Sequence, residues 1–209
     1  MQSFLLILGL AVLVVVSAVT LITRRREAQT LRAFAARRRL NFSSEDLIDL
    51  HARYYPLAVI RRGRNRFAWN LLYGTTDEGL VSLFCYRYDL GFGVNQVQRA
   101  WWLAVIETSR NHPGWQARRD SAGAGDADES RHRGRLGDFT LTSDQDDVLE
   151  RLREIGIETF LREKPDLQYV EAHGQLVVVA AAYDRDPRMP AHLLDAVSSL
   201  VRLLDGHRI

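Results

Sequence analysis

The stretch that decides the fold is LVSLFCYRY, at residues 80–88. It is apolar at nearly every position, which is typical of a central strand with both faces buried. Before it, residues 67–73 alternate Phe, Trp, Leu and Tyr with other side chains, the two-residue period of a strand with one buried face. After it, RAWWLAVIET at residues 99–108 is again apolar on both sides. Three such segments joined by short turns predict an antiparallel meander.

The carboxyl-terminal half adds further elements to this sheet. A short strand at residues 139–141 is followed by Ser143-x-x-Asp146, a helix-start pattern, and by an apolar stripe that Gly156 interrupts. The stretch LQYVEAHGQLVVVAAAY at residues 167–183 predicts a hairpin that turns at His173-Gly174. An apolar stripe after Pro190 predicts a closing helix.

These elements predict an α+β fold, in which one antiparallel sheet has helices packed on a face. Residues 40–209 are assigned to a single domain, because the part after residue 137 is too small to bury much of a core alone. Residues 117–137 contain no aromatic and one large aliphatic side chain, so they predict a mobile surface insertion. Near the start of the domain, Ser43-x-x-Asp46 predicts a short helix.

The run FLLILGLAVLVVVSAVTLIT at residues 4–23 carries no charge, and 14 of its 20 residues are Leu, Ile, Val or Phe. As a helix it spans about 30 Å, the thickness of a bilayer's hydrocarbon core. Those residues favour insertion by about 4 to 8 kcal/mol. Residues 1–23 therefore predict a transmembrane anchor. The alternative is a signal peptide cleaved near Ala18; the length of the run, and the arginines after rather than before it, favour the anchor.

A basic segment, RRREAQTLRAFAARRR, follows at residues 24–39. Apolar residues at helical spacing predict that it forms a juxtamembrane helix. Arginines beside a span stay in the cytoplasm, so we expect the amino terminus outside the plasma (inner) membrane and the domain inside, where the unpaired Cys85 is suited to a reducing compartment. Six arginines are predicted to contact anionic lipid headgroups: Arg24, Arg25, Arg26, Arg37, Arg38 and Arg39.

The overall composition excludes several classes of protein. With 46% hydrophobic residues and a net charge of +2 over 209 residues, the chain is too apolar to be disordered. A single cysteine excludes a disulfide-stapled module and a zinc site built on several thiolates. Residues 24–66 carry twelve arginines against four acidic residues, but arginine is preferred to lysine throughout the chain. No nucleic-acid recognition motif accompanies the basic run, so no nucleic-acid partner is predicted.

No motif assigns a reaction. The six histidines lack the helical spacing of a metal site, and we predict no catalytic residue, metal or cofactor. Gly91-Phe92-Gly93 predicts a hairpin loop, because a dinucleotide fingerprint would need a helix after it. Cys85 is predicted to be a buried core residue rather than a reactive thiol. The four tryptophans are predicted to be core, with a ligand groove as the alternative: Trp69, Trp101, Trp102 and Trp115.

Several short motifs follow the hydrophobic start in a defined order along the chain. After the hydrophobic start and the arginine-rich stem come Asn70-x-x-x-Gly74, Gly79, Phe84-Cys-Tyr-x-Tyr88 and the helix after Pro190. In these features, over most of residues 28–205, the chain resembles an uncharacterised family of bacterial, mainly actinobacterial, single-pass membrane-anchored proteins. The resemblance implies a transmembrane helix followed by a cytoplasmic α+β domain, and it carries over no catalytic residue.

The sequence thus predicts a membrane-anchored cytoplasmic binding or scaffold module beside the lipid bilayer, and it specifies neither the ligand nor a protein partner. Enzymatic activity is not favoured. Two alternatives stay open at this point: a membrane-tethered enzyme whose site is assembled from residues distant in sequence, and a small-molecule sensor that uses the aromatic sheet.

Overall fold

The computed structural model describes residues 2–120, 132–145 and 147–206, with the backbone alone for residues 2–12, 132 and 133. The helices are α1 (Gln2–Arg37), α2 (Leu50–Arg53), α3 (Ala58–Arg61), α4 (Val148–Glu154), α5 (Ile157–Glu163) and α6 (Met189–Leu204). The strands are β1 (Asn41–Glu45), β2 (Arg64–Thr76), β3 (Gly79–Leu90), β4 (Val97–Arg119), β5 (His132–Leu136), β6 (Phe139–Ser143) and β7 (Leu167–Ala182).

The seven strands form one antiparallel sheet, so the predicted α+β class and the β2–β3–β4 meander are confirmed. The long strand β4 organises the sheet. Along one edge it pairs first with β3 and then with β6, and along the other edge it pairs with β7. β1 extends the sheet beyond β2, and β5 extends it beyond β6.

The hairpin predicted at residues 167–183 is wrong. These residues form the single strand β7, which pairs with β4 from Trp101↔Ala182 to Arg118↔Tyr169. His173-Gly174 lies at an irregularity of this ladder, where Gly174 pairs with His112 and has φ 60°. One long strand forms because β4 provides hydrogen-bonding partners on both sides of the irregularity. Gly174, which in sequence has the composition of a turn, therefore lies at a bend that β4 and β7 share.

The helix start predicted at Ser43-x-x-Asp46 is also wrong. Ser43 lies in β1, opposite Leu71 of β2. The helix α2 begins later, with Asp49 as its N-cap, whose carboxylate accepts a hydrogen bond from the backbone N–H of Ala52. The strand forms instead because pairing along β2 satisfies a row of backbone groups, whereas a cap satisfies one or two.

Helices cover both faces of the sheet, rather than the one face that was predicted. Side chains of β3 alternate between two cores: Leu83 and Cys85 pack with α1, α4, α5 and α6, whereas Phe84 and Tyr86 pack with α2 and α3. The second core exists because the residues between β1 and β2 bury Leu50, Leu57 and Ile60 completely. A short helix was predicted near α2, with an earlier start, whereas α3 was hidden in sequence by its four-residue length.

The insertion predicted at 117–137 falls largely on residues 121–131, which lie outside the described residues. Its ends belong to strands, since β4 continues to Arg119 and β5 begins at His132. The break predicted at Gly156 is confirmed: this residue has φ 87° and separates α4 from α5. The start pattern before α4 includes Asp146, which also lies outside the described residues.

The helix α1 is uninterrupted from Gln2 to Arg37, so the segment predicted as a juxtamembrane helix continues the helix that contains the apolar run. The predicted span begins at Phe4, and the side chains of residues 4–12 lie outside the described ones. Within the part of the chain that is described, no helix meets the length and apolarity needed to cross a membrane.

Candidate functional site

The carboxyl-terminal half of α1 packs directly on the sheet. Leu31, Phe34 and Ala35 share one face of the helix and are buried in the larger core. After the helix the chain turns tightly at Leu40, which lies against Gly74; a Cβ on Gly74 would come within 2.8 Å of Leu40 Cδ2. Burial of Leu31 and Phe34 contributes about 1.5 to 3 kcal/mol each. The arginine-rich stem is therefore a structural part of the domain.

One turn before Leu31, the carboxylate of Glu27 joins α1 to two other elements. Its Oε1 accepts a hydrogen bond from Asn70 Nδ2 of β2 at 2.9 Å and another from the hydroxyl of Tyr183, just after β7, at 3.0 Å. Its Oε2 makes no hydrogen bond to the described residues. The carboxylate thus fixes the helix on the sheet and keeps one oxygen available to a ligand.

Asn70 occupies a special backbone position. It has φ 54°, a left-handed conformation that asparagine adopts more readily than most residues, and it lies at a bulge between Trp69 and Leu72. The bulge breaks the predicted alternation: Leu71 packs with α2 and α3, whereas Trp69 and Leu72 face the α1 side. Phe67, predicted to share a buried face with Leu71, is 52% exposed.

A cleft of about 400 Å³ opens between α1 and the sheet around Glu27, and we name it the stem cleft. Aromatic rings form one wall: Phe67 stacks on Trp69 at 5.9 Å, and Trp69 meets Tyr183 edge-on at 5.5 Å. Its lining residues come from α1, β1, β2, β3 and the segment after β7. They are Arg24, Glu27, Ala28, Ser44, Glu45, Phe67, Trp69, Asn70, Arg87, Tyr183 and Arg185.

Three guanidinium groups surround the stem cleft, those of Arg24, Arg87 and Arg185. All three side chains are exposed, and within the described ranges none lies in a salt bridge. Arg87 lies 5.0 Å over the ring of Phe67. Guanidinium groups without a carboxylate partner are suited to phosphate or carboxylate groups of a ligand.

The hydroxyl of Tyr183, at the base of the cleft, keeps its proton. Burial, and then the charge of Glu27, raise the pKa of Tyr183 far above its usual value of 10.0, so its hydroxyl remains a neutral donor. Behind this layer, burial raises the pKa of the Cys85 thiol well above its usual value, and the charge of Glu27 adds to the effect. The prediction of Cys85 as a buried core residue is confirmed, because it has no exposed surface.

A larger but shallower groove, of about 800 Å³, adjoins the stem cleft and shares Glu45 and Phe67 with it. Its two guanidinium groups are already engaged: Arg66 lies 2.7 Å from the His51 ring and donates hydrogen bonds to the backbone carbonyls of Arg61 and Arg62, and Arg64 donates one to the backbone carbonyl of Gly91. We favour the stem cleft as the site because its carboxylate and guanidinium groups retain unused hydrogen-bonding capacity.

The sequence-predicted residues are distributed unevenly around this site. All six predicted lipid-contacting arginines are exposed; Arg24 lines the stem cleft, while Arg38 lies 3.3 Å from Asp195 of α6. Of the tryptophans, Trp69 is in the cleft wall, and the three others are core: Trp101, Trp102 and Trp115. No group of three or more metal-ligating side chains occurs in the described ranges.

Glu27 was missed in sequence, although a signal for it existed. It is the single acid among the arginines of residues 24–39, and it precedes Leu31 and Phe34 by four and seven residues. That spacing places it on the same helix face as the buried stripe. A lone carboxylate on a buried helix face must find donors, so its position indicated an interface with polar partners.

The described fold is similar to one solved structure, "crystal structure of the mycobacterial trehalose monomycolate transport factor A, TtfA". The likeness has a TM-score of 0.69 and 15% sequence identity, and it covers 86% of this chain and 95% of that chain. Neither the comparison with protein-family models nor that with curated proteins gives a match. The chain therefore has the fold of a mycobacterial transport factor.

Proposed function

We propose that this protein is a membrane-anchored binding module that assists the handling of a lipid at the inner face of the bacterial membrane. The observation that carries the proposal is the continuity of α1. One helix contains the apolar run at residues 4–23 and is also packed into the sheet domain through Leu31 and Phe34. With the run in a bilayer, no flexible linker would separate the domain from the membrane.

This arrangement would bring the stem cleft to the level of the lipid headgroups. Glu27 lies four residues after Thr23, the last residue of the apolar run. This offset is about 6 Å along a helix, and the headgroup region of a bilayer is about 5 to 7 Å thick on each side. A lipid head beside α1 could therefore enter the cleft without leaving the membrane.

The arginines divide into two groups in this geometry. Arg24, Arg25 and Arg26 follow the apolar run directly, where each contributes about 1 kcal/mol of attraction to anionic lipids. Arg37, Arg38 and Arg39 lie about 20 Å farther along the helix axis, beyond the screening distance of about 8 Å if α1 stands upright. We therefore assign headgroup contact first to Arg24–Arg26, with the domain on the cytoplasmic side.

The chemistry of the stem cleft supports a polar lipid head as its ligand. The free Oε2 of Glu27 can accept hydrogen bonds from hydroxyl groups, the three guanidinium groups can bind anionic groups, and the rings of Phe67 and Trp69 can cover apolar faces. The similar structure is named for the transport of trehalose monomycolate, a lipid with a sugar head. A hydroxyl-rich lipid head is the ligand class that we propose here.

Photo-crosslinking in native membranes tests this function. A p-benzoylphenylalanine placed at Phe67 would report on the cleft, and the same residue at Tyr55 is a matched control, because the two aromatic side chains are 52% and 54% exposed and Tyr55 does not line the cleft. We expect a lipid adduct at position 67, reduced by Glu27→Gln, and none at position 55. A protein adduct alone would favour a scaffold that does not bind lipid. Equal labelling at both positions would contradict a ligand in the cleft.

A further inference from the structure

The hairpin that joins β3 to β4 ends in an exposed apolar tip. The ladder between these strands ends at Leu90↔Val97, and the connecting residues include Phe92, which is 74% exposed, and Val94, which is fully exposed. Residues 90–98 carry no charge, in a chain of which 26% of the residues are charged. Large apolar side chains presented at an uncharged tip indicate contact with an apolar partner.

This tip lies at the end of the domain from which the apolar run of α1 departs. Two contacts and one shared cavity align α1, and the turn after it, with β2: Leu40 lies against Gly74, Glu27 bonds to Asn70, and Arg24 lines the stem cleft together with Phe67. The direction along α1 toward residue 23 is therefore the same as the direction along β2 toward its first residue. The start of β2 pairs with the end of β3, through Phe67↔Arg87 and Arg64↔Asp89. The hairpin continues in the same direction.

The tip also reaches far enough to meet a membrane that surrounds α1. Cys85 lies opposite Trp69, at the level of Glu27, and Leu90 is five residues beyond it. Five residues of strand extend about 17 Å, whereas Glu27 is about 6 Å from the apolar run along the helix. The hairpin thus extends beyond the level of Thr23, the end of the apolar run that is nearest to the domain, even if the strands are tilted from the helix axis.

Basic side chains surround the base of the tip. Arg64, Arg87 and Arg99 are exposed, and they lie on strand positions paired with or next to Asp89 and Tyr88. The guanidinium group of Arg64 lies 3.4 Å over the ring of Phe92 and donates a hydrogen bond to the backbone carbonyl of Gly91. Apolar residues in front of a row of guanidinium groups form the arrangement of an interfacial anchor, which places rings among acyl chains and charges among anionic headgroups.

We propose that the β3–β4 hairpin is a second membrane-binding element, which inserts Phe92 and Val94 into the bilayer interface beside α1. The inference rests on the proposed function, because the membrane side of the domain is set by α1. Two contacts, a helix and a hairpin, would fix the orientation of the domain and hold the opening of the stem cleft toward the headgroups.

Fluorescence quenching in proteoliposomes tests this proposal on the full chain. The vesicles contain phosphatidylcholine, anionic phosphatidylglycerol and a lipid that carries a nitroxide quencher on its acyl chain, either near the headgroup end, for position 94, or near the middle of the bilayer, for position 14. An environment-sensitive fluorophore is attached to Val94→Cys, to Asp77→Cys in the exposed turn at the opposite end of the sheet, or to Val14→Cys in the apolar run. The natural Cys85 is fully buried, so the unsubstituted chain measures the labelling background.

We expect the nitroxide lipid to reduce the emission from positions 14 and 94 and to leave that from position 77 unchanged. Quenching at 14 without quenching at 94 would overturn the hairpin proposal and leave the anchor intact. An unquenched probe at 14 would instead contradict the anchor, and quenching at 94 would then support membrane contact by the hairpin alone. Protection of position 94 by a protein partner, without quenching, would also overturn the proposal.

Discussion

The side-chain amide of Asn70 donates a hydrogen bond to the carboxylate of Glu27 at 2.9 Å, across the junction between α1 and the sheet. Glu27 is unusual in its residue type at that position, and Asn70 in its backbone conformation. Glu27 is the one acid in a stem of arginines, and Asn70 has a left-handed backbone at a bulge of β2. Their contact places a carboxylate at the base of the stem cleft and ties the position of the helix to that of the sheet.

Removal of the carboxylate should loosen this junction. Glu27→Ala leaves the Asn70 amide and the Tyr183 hydroxyl without their acceptor, which we expect to cost about 1 to 3 kcal/mol. Glu27→Gln keeps an acceptor oxygen and should cost less. Urea unfolding of the detergent-solubilised chain measures both, with Glu158→Ala on the exposed surface of α5 as the control. Equal midpoints for Glu27→Ala and the control would show that the contact contributes nothing.

The backbone of Asn70 can be tested separately from its side chain. Asn70→Gly and Asn70→Ala both remove the hydrogen bond to Glu27, but alanine must also adopt φ 54°, which costs about 1 to 2 kcal/mol relative to a right-handed conformation. We therefore expect Asn70→Ala to be less stable than Asn70→Gly by about 1 kcal/mol. The free energies of unfolding of the two variants decide this, and the reverse order would argue against a left-handed residue at the bulge.

A third prediction concerns the packing of the stem on the sheet. Phe34→Ala should cost about 3 to 5 kcal/mol, because Phe34 is buried in the larger core. Arg37→Ala, one turn further along the same helix and exposed, is the matched control. Hydrogen exchange of the amides at residues 30–37 should quicken in Phe34→Ala and stay slow in Arg37→Ala. Unchanged exchange in Phe34→Ala would mean that the stem does not depend on the sheet for its order.

Buried tyrosines predict a loss of stability in alkali. Burial is the main cause that raises the pKa of Tyr54 and of Tyr86 to about 12, from an ordinary value of 10.0. A group whose pKa is higher in the folded state releases its proton first in the unfolded chain, so stability is full below pH 10 and falls as the pH rises from 10 through about 12. Chemical denaturation across this range should show the fall, with a shallower slope in Tyr86→Phe. A flat profile would contradict the burial of these phenols.

The central strands were predictable because their signal is local and strong. Residues 80–88 and 99–108 are apolar on both faces, and no other element satisfies such runs as well as a strand inside a sheet. The closing helix was predictable for a similar reason, since Leu193, Val197, Leu200 and Val201 repeat at helical spacing and are all buried.

Elements that depend on a distant partner were not predictable in this way. His173-Gly174 has the composition of a hairpin turn, and only the length of β4, sixty residues earlier in the chain, makes it a bend within β7. Ser43 has the pattern of a helix cap, but it pairs with the edge of β2 and is therefore part of β1. The stem cleft likewise requires α1, β2 and the segment after β7 to meet, so Glu27, Asn70 and Tyr183 carry no joint signal along the sequence.

The proposed function requires that the apolar run of α1 resides in a bilayer, and extraction of native membranes with alkaline carbonate tests this most directly. The intact chain should stay in the membrane pellet and enter the supernatant only when detergent is added. Its release by carbonate alone, at full length or cleaved near Ala18, would contradict the anchor and, with it, the placement of the stem cleft at the headgroups.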